Sequence, residues 1–231
     1  MKKILLVTAT ALFLALTTNA NVWRINNNNG VDADFTQITS ALSSASVLNG
    51  DTLYIEPSTT QYNGFTLSKQ LVFIGNGYFL AGVNGNSGLQ ANVNASEVGV
   101  FTLASGSNGS KFLGITINYF LFANSAGLGD YLFENCHMDY PYLSTLPSQT
   151  YTNVVFRRCA IQYYISMNNT GTTLTNFTIE NCIFYSTAGY GNVIQVSPSS
   201  TNLVFRNNTM NAPYFTNLTA FYVANNIFLH G

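Results

Sequence analysis

Beyond residue 50 the chain alternates apolar and polar side chains at period two in short runs: "TLYIEP" (52–57), "FTLS" (65–68) and "LVFIGNG" (71–77). Each has the length of a strand and is bounded by Gly, Asn, Ser or Pro. From residue 112 a longer period is superimposed. "FLGI" at 112, "FENC" at 133, "FRRC" at 156, "IENC" at 179, "FRNN" at 205 and "VANN" at 223 align on their fourth residue, at intervals of 21, 23, 23, 26 and 18. Self-similarity at such a period marks stacked supersecondary units, none of which can bury its apolar face alone. The residues between are rich in Val, Ile, Phe, Tyr, Thr and Asn, which suit strands. Each unit therefore reads strand, turn, strand, turn.

The fixed positions within the unit have distinct characters. Phe133, Phe156, Ile179, Phe205 and Val223 open the tetrads, and Met138, Ile161, Phe184, Met210 and Phe228 follow two residues after them. All are apolar. Between them Asn135, Arg158, Asn181, Asn207 and Asn225 stand where the inward–outward parity must change. A tight bend is required there, and Asn tolerates the left-handed backbone region that such bends use. Parallel strands, one per unit and about 4.8 Å apart, would pile equivalent residues into files along a coil. Cys136, Cys159 and Cys182 then form an inward file of buried thiols, because parallel Cβ vectors hold the Cβ atoms further apart than the roughly 3.5–4.5 Å of a disulfide. Glu134, Arg157, Glu180 and Arg206 form an outward file of alternating charge. Each neighbouring pair is worth roughly 0.2–1 kcal/mol and pins the register.

The stacked like residues, the asparagine corner and the period resemble the right-handed parallel β-helix of the pectate-lyase-like superfamily, over residues 51–231. The predicted fold is accordingly all-β, a single-stranded right-handed parallel β-helix with a short N-terminal capping helix. The stretch from Asp34 to Gly77 is similar to the opening coil of secreted β-helix proteins. Phe35, Ile38, Leu42 and Ala45 fall on one helical face, Gly50 can end the helix, and Asp32 and Asp34 precede its N-terminal amides. The three alternating runs then read as three sides of the first turn, with Asp51 and Glu56 as structural flanks of its first strand. The chain stops at "NNIFLHG", within a repeat, which predicts that the C-terminal rung is covered by further chain or by another molecule.

Composition adds the compartment. Lys2 and Lys3, the apolar run "ILLVTATALFLAL" and the small-residue stretch "TTNA" read as a signal peptide over 1–20, cleaved after Ala20. Residues 21–231 form one β-helix domain, with an N-terminal strand and capping helix over 21–50 and coils over 51–231. The protein is expected to be secreted or at the cell surface of a bacterium. No later apolar run is long enough to span a bilayer. Losing Lys2 and Lys3 takes the formal charge from -1 to -3, which argues against a nucleic-acid partner. Three cysteines without a CxxC pair and two histidines predict neither a metal site nor a cofactor.

Catalytic members of the superfamily cleave or de-esterify acidic polysaccharides, and the resemblance implies clustered acids, with calcium and an Arg or Lys base or with paired carboxylates. Outside the charge file the acids are Asp32, Asp34, Asp51, Glu56, Glu97, Asp130 and Asp139, and the bases Arg24, Lys69, Lys111 and Arg158. None repeats on one face. Asp130, His137 and Asp139 come nearest to an acid–base cluster, yet His137 follows an inward cysteine and points outward with Asp139, so a solvated pair is expected. "GVNGNSG" at 82–88 lacks the Lys of a phosphate cradle. Aromatics are more suggestive. Tyr140 and Tyr142, Tyr163 and Tyr164, Tyr185 and Tyr190, and Tyr214 with Phe215 follow successive strand pairs. Outward, they would stack on sugar rings while Asn and Ser bond the hydroxyls; filling or covering the coil is their plainer use. The expected function is an exported non-catalytic β-helix, structural or binding a polysaccharide or cell-surface glycan. A polysaccharide lyase or hydrolase, truncated before its catalytic rungs, is the alternative.

Overall fold

The computed structural model describes residues 20–78, 92–140, 149–167, 172–185, 192–197, 199–211, 213–216 and 221–229. Every strand pairing among them is parallel, and the strands fall into three sheets. The first runs β1 (Val22–Ile25), β2 (Thr52–Ile55), β4 (Val72–Ile74), β7 (Lys111–Leu113), β9 (Gly129–Glu134), β11 (Thr150–Arg157), β14 (Thr173–Glu180), β17 (Thr201–Arg206) and β20 (Phe221–Ala224). The second runs β3 (Phe65–Leu67), β6 (Phe101–Leu103), β8 (Thr116–Phe122), β10 (His137–Tyr140), β12 (Ala160–Ile161), β15 (Ile183–Phe184), β18 (Thr209–Asn211) and β21 (Ile227–Leu229), with β5 (Glu97–Val98) also on β8. The third holds β13 (Tyr164–Met167), β16 (Asn192–Val196) and β19 (Pro213–Thr216). Successive sides of one turn of chain thus lie in different sheets, and the next turn lies above. The chain is a right-handed parallel β-helix, the hand that parallel crossovers adopt almost without exception.

Register is continuous. Phe112, Phe133, Phe156, Ile179, Phe205 and Val223 pair in one unbroken file. Strand spacing sets ring spacing: Phe73, Phe112, Phe133 and Phe156 stack at 5.0, 4.8 and 5.0 Å with interplanar angles of 16°, 8° and 15°. Face-to-face rings are not what isolated aromatics prefer; here the ladder imposes them. A facing file of Phe65, Phe101 and Phe120 interlocks with the first, Phe120 lying 4.6 Å from Phe133. Val223, the last described residue of the first file, and Phe228, that of the file through Met138, Ile161, Phe184 and Met210, are 38% and 46% exposed.

Left-handed backbone recurs at two positions along the first sheet, one of them the corner just past each strand end. Gly114, Asn135, Arg158, Asn181, Asn207 and Asn225 have φ between 52° and 66°. A second bend lies earlier in the coils, at Gly109 before β7 and at Asp130, Asn153, Asn176 and Asn202 inside β9, β11, β14 and β17, with φ from 54° to 80°. There each side chain donates to the coil beneath: Asn153 to Asp130, Asn176 to Asn153 and Asn202 to Asn176, at 2.6, 2.9 and 3.0 Å.

The inward file next to the first corner is Cys136, Cys159 and Cys182, all free and buried, followed by Asn208 and Asn226. Each donates from its side chain to the carbonyl that opens the tetrad of the coil beneath. The acceptors are Phe112, Phe133, Phe156, Ile179 and Phe205, at 3.2, 3.4, 3.7, 3.0 and 2.9 Å. Burial and the neighbouring sulfurs raise Cys159 well above the ordinary thiol range.

The N-terminus departs from expectation in four ways. Helix α1 covers only Ile38–Ser43 and buries Ile38 and Ala41. Ala45 is exposed, Phe35 forms an extended bridge to Ile25, and Val47 continues the plug. A run of Ser around a single Ala is weak helix chemistry, and Lys69 captures the carbonyls of Ser44 and Val47 at 2.9 Å each. Gly50, at φ 92°, turns the chain into β2 and ends no helix. Asp32 and Asp34 do not cap it either: the N-cap is Gln37, and Asp34 accepts the Arg24 amide at 2.7 Å. Finally, "LVFIGNG" is not a third side of the opening turn, because β4 lies directly on β2 and begins the next coil. Asp51 ties the entry together, accepting from the Asn21 and Leu48 amides and from Trp23 Nε1.

Candidate functional site

The outer face of the second sheet carries two files of outward residues between inward ones. Glu97 pairs with Thr116, Thr116 with His137, His137 with Ala160, and Ala160 with Ile183. One outward position further along lie Asn118, Asp139, Gln162 and Tyr185. Small or polar residues dominate the centre of this face, so side chains from different coils meet there.

His137 is the hub. Its Nε2 is 2.5 Å from the Tyr185 hydroxyl and 3.8 Å from Asp139 Oδ1, and its ring is 6.5 Å from that of Tyr78 and 6.1 Å from that of Tyr185. Tyr185 crosses a whole coil to reach it. The residue bridged over is Ala160, which is fully buried although its strand position faces outward. A larger residue at 160 would hold the two rings apart.

Burial decides the protonation states. It pushes His137 down against the opposing charges of Asp139 and Glu97, raises Asp139, and pushes Tyr185 up to about 12. Tyr185 therefore keeps its proton, and its hydroxyl and His137 Nε2 share one hydrogen bond whose donor is set by the imidazole tautomer. The side chains of His137 and Asp139 are 16% and 33% exposed. This corrects the expected solvated pair: the loss of water around these groups shifts both toward their uncharged forms. Asp130 takes no part, being held by Asn153 at the second bend.

The site's margins are polar. Gln162 Nε2 donates to the Tyr163 hydroxyl at 3.0 Å, and Gln61 Nε2 donates to Glu97 at 2.8 Å. Tyr78 donates to the Arg158 carbonyl at 3.1 Å. Of the aromatic residues singled out in the sequence, Tyr163 and Tyr185 belong here, both half-buried. Tyr140 pairs with Tyr119 through the backbone of β10. Tyr164 and Tyr214 occupy one register position two coils apart, both pairing with Val193. Tyr142 and Tyr190 lie outside the described residues, as do residues 82–88 and 1–19. Tyr78 was not anticipated, since it precedes the repeats and shares no offset with them.

The charge file lies on the first sheet, away from this face. Glu134, Arg157, Glu180 and Arg206 are in register. Glu180 accepts from Arg157 and Arg206 at 2.6 Å each and is only 6% exposed, so two solvent-reaching guanidiniums clamp one covered carboxylate. Burial opposes its ionisation, but the two guanidiniums outweigh it and hold the carboxyl below the usual range. Arg158, counted in the sequence among unassigned bases, also pairs with Glu134. Among the described residues no group of three or more His, Cys, Asp or Glu is placed to hold a metal ion, and no helix is long and apolar enough to cross a membrane.

No family model and no curated protein matches the sequence. Two crystal structures of the pectin methylesterase from Aspergillus niger are similar in fold. The deglycosylated form has 14% identity and a TM-score of 0.45, and the form with an N-acetylglucosamine stub has 12% and 0.42. In both, the match covers 92% of this chain and 87% of the other. The architecture rests on this chain's own strand pairing: a right-handed parallel β-helix.

Proposed function

We propose that the protein is an exported β-helix that binds a polysaccharide or cell-surface glycan on the outer face of its second sheet, without transforming it. The observation that carries this reading is the half-buried cluster of His137, Tyr185, Tyr78, Asp139 and Gln162–Tyr163. It offers ring faces for stacking on sugars beside donors and acceptors for hydroxyls. His137 and Asp139 stand on β10, and Gln162 and Tyr185 directly follow β12 and β15, so part of the cluster is ordered before binding. Calorimetry of residues 21–231 against a polysaccharide panel tests it. Saturable binding, weakened about tenfold, or about 1.4 kcal/mol, by Tyr185→Ala, is the expected result, with no release of unsaturated or reducing ends. A silent panel would refute it.

A second reading, a polysaccharide lyase or hydrolase, is favoured by the uncharged tendency of both His137 and Asp139, since proton transfer needs groups poised near neutrality. Product release by the purified chain, abolished by Asp139→Asn, would replace the first reading with this one.

A further inference from the structure

We infer that the glycan taken by this face is an uncharged one and that acidic polysaccharides are rejected; this rests on the glycan-binding reading above. Every Lys and Arg from residue 20 onward falls among the described residues, so the cations of the domain can be located in full. Arg24 lies on β1 and pairs with Glu56 at 2.5 Å. Lys69 is bound to two carbonyls behind helix α1. Lys111 stands on β7 of the first sheet. Arg157 and Arg206 clamp Glu180, also on the first sheet. Arg158, at the corner nearest the site, turns away toward Glu134 and Asn135.

The second sheet's outer face, in contrast, presents Glu97, Asp139 and a neutral His137. A polyuronate would bring one carboxylate per sugar with no cation to receive it, against Glu97, which repels it, and against Asp139, whose anion burial already disfavours and a second carboxylate would disfavour further. Hydroxyls suit the same groups. Carboxylates accept two or more hydroxyl protons, the imidazole and Gln162 complete the bonding, and the tyrosine rings take the apolar sugar face. Glu97 is already oriented by Gln61 at 2.8 Å, so one acceptor of the site is fixed in advance.

The test compares polymers matched in backbone and differing in charge: fully methyl-esterified polygalacturonate and the same material de-esterified, beside an uncharged β-glucan and a galactomannan. Binding is measured at neutral pH and low salt, with calcium and with chelator. At least one uncharged polymer should bind about tenfold or more tighter than the de-esterified one, in both calcium conditions. The double variant Glu97→Gln, Asp139→Asn, checked for an unchanged melting temperature, should close that gap by admitting the acidic polymer. Binding of the acidic polymer as tightly as the uncharged ones, with or without calcium, would overturn the inference while leaving glycan binding intact. An unchanged gap in a folded double variant would overturn the electrostatic cause. Failure of every polymer to bind would overturn the glycan-binding reading and the inference with it.

Discussion

The Tyr185 hydroxyl lies 2.5 Å from Nε2 of His137 across 48 residues and one intervening coil, with the small side chain of Ala160 sealed beneath the bridge. Removing the hydroxyl tests its structural share. Tyr185→Phe should lower stability by about 1 kcal/mol, or roughly 2–4 °C in melting temperature for a domain of this size. Ala160→Val should separate the rings and cost more than Tyr185→Phe. Thermal melts of both variants, with Tyr185→Phe the less affected, check the geometry.

His137 gives the site a pH signature. Its folded pKa lies below the ordinary histidine value because of burial, so its contribution to stability is complete above about pH 6.5. That contribution is lost as pH falls through the lower folded value. Asp139 has the opposite sign: burial raises it, so its contribution is complete below about pH 3.9 and is lost as pH rises through the folded value. Melting temperatures of His137→Gln should therefore fall less than those of the native chain on acidification below about pH 6.5. Parallel curves would refute the assignment.

The charge clamp predicts an asymmetry. Glu180→Gln leaves Arg157 and Arg206 facing one another, and the loss should be about 2 kcal/mol, below the usual cost of breaking a fully buried pair because both guanidiniums reach solvent. Arg206→Gln should cost less, since Arg157 still neutralises Glu180. Glu180 is held below the ordinary glutamate range, so its contribution is complete above about pH 4.3 and disappears as pH falls through the folded value. Denaturant titrations at neutral and acid pH separate these outcomes.

The inward file of Cys and Asn is one structural role filled by two chemistries. Cys182→Asn should fold with a melting temperature within a few degrees of native, because Asn208 and Asn226 already donate to the equivalent carbonyls. Cys182→Leu should cost about 1–3 kcal/mol through overpacking and an unsatisfied Phe156 carbonyl. The three thiols should resist a thiol reagent in the native chain and react together on unfolding.

At the left-handed corner, Asn181 sits at φ 55°. Asn181→Ala should destabilise by roughly 1–2 kcal/mol and Asn181→Gly by much less, since the strain is that of a Cβ in this region. Equal losses, read by chemical denaturation, would point to a lost side-chain contact instead.

The coil was legible because its information repeats. Phe133, Phe156 and Phe205 recur in step with the Asn corner, and a periodic signal survives local irregularity. The second bend was legible in principle too. Asp130, Asn153, Asn176 and Asn202 each stand six residues before the aligned tetrad position, a constant offset that the more conspicuous cysteines concealed. The site was only half legible. Parity put His137 and Asp139 outside the coil, but their burial comes from Tyr78 and Tyr185 reaching across coils, and side-chain reach has no period. Helix α1 was overextended because a plausible apolar stripe over 35–45 ignored how poorly Ser sustains a helix. Asp34 was drawn instead to the amide of Arg24.

Under the proposed reading, ligand meets the outer face of the second sheet at His137. With two histidines in the chain, the imidazole nitrogen resonances are resolvable, and His137→Gln assigns them. Titrating an uncharged polysaccharide that binds in calorimetry should shift the His137 signals along the same binding isotherm. Saturable binding with those signals unmoved would place the ligand elsewhere on the protein.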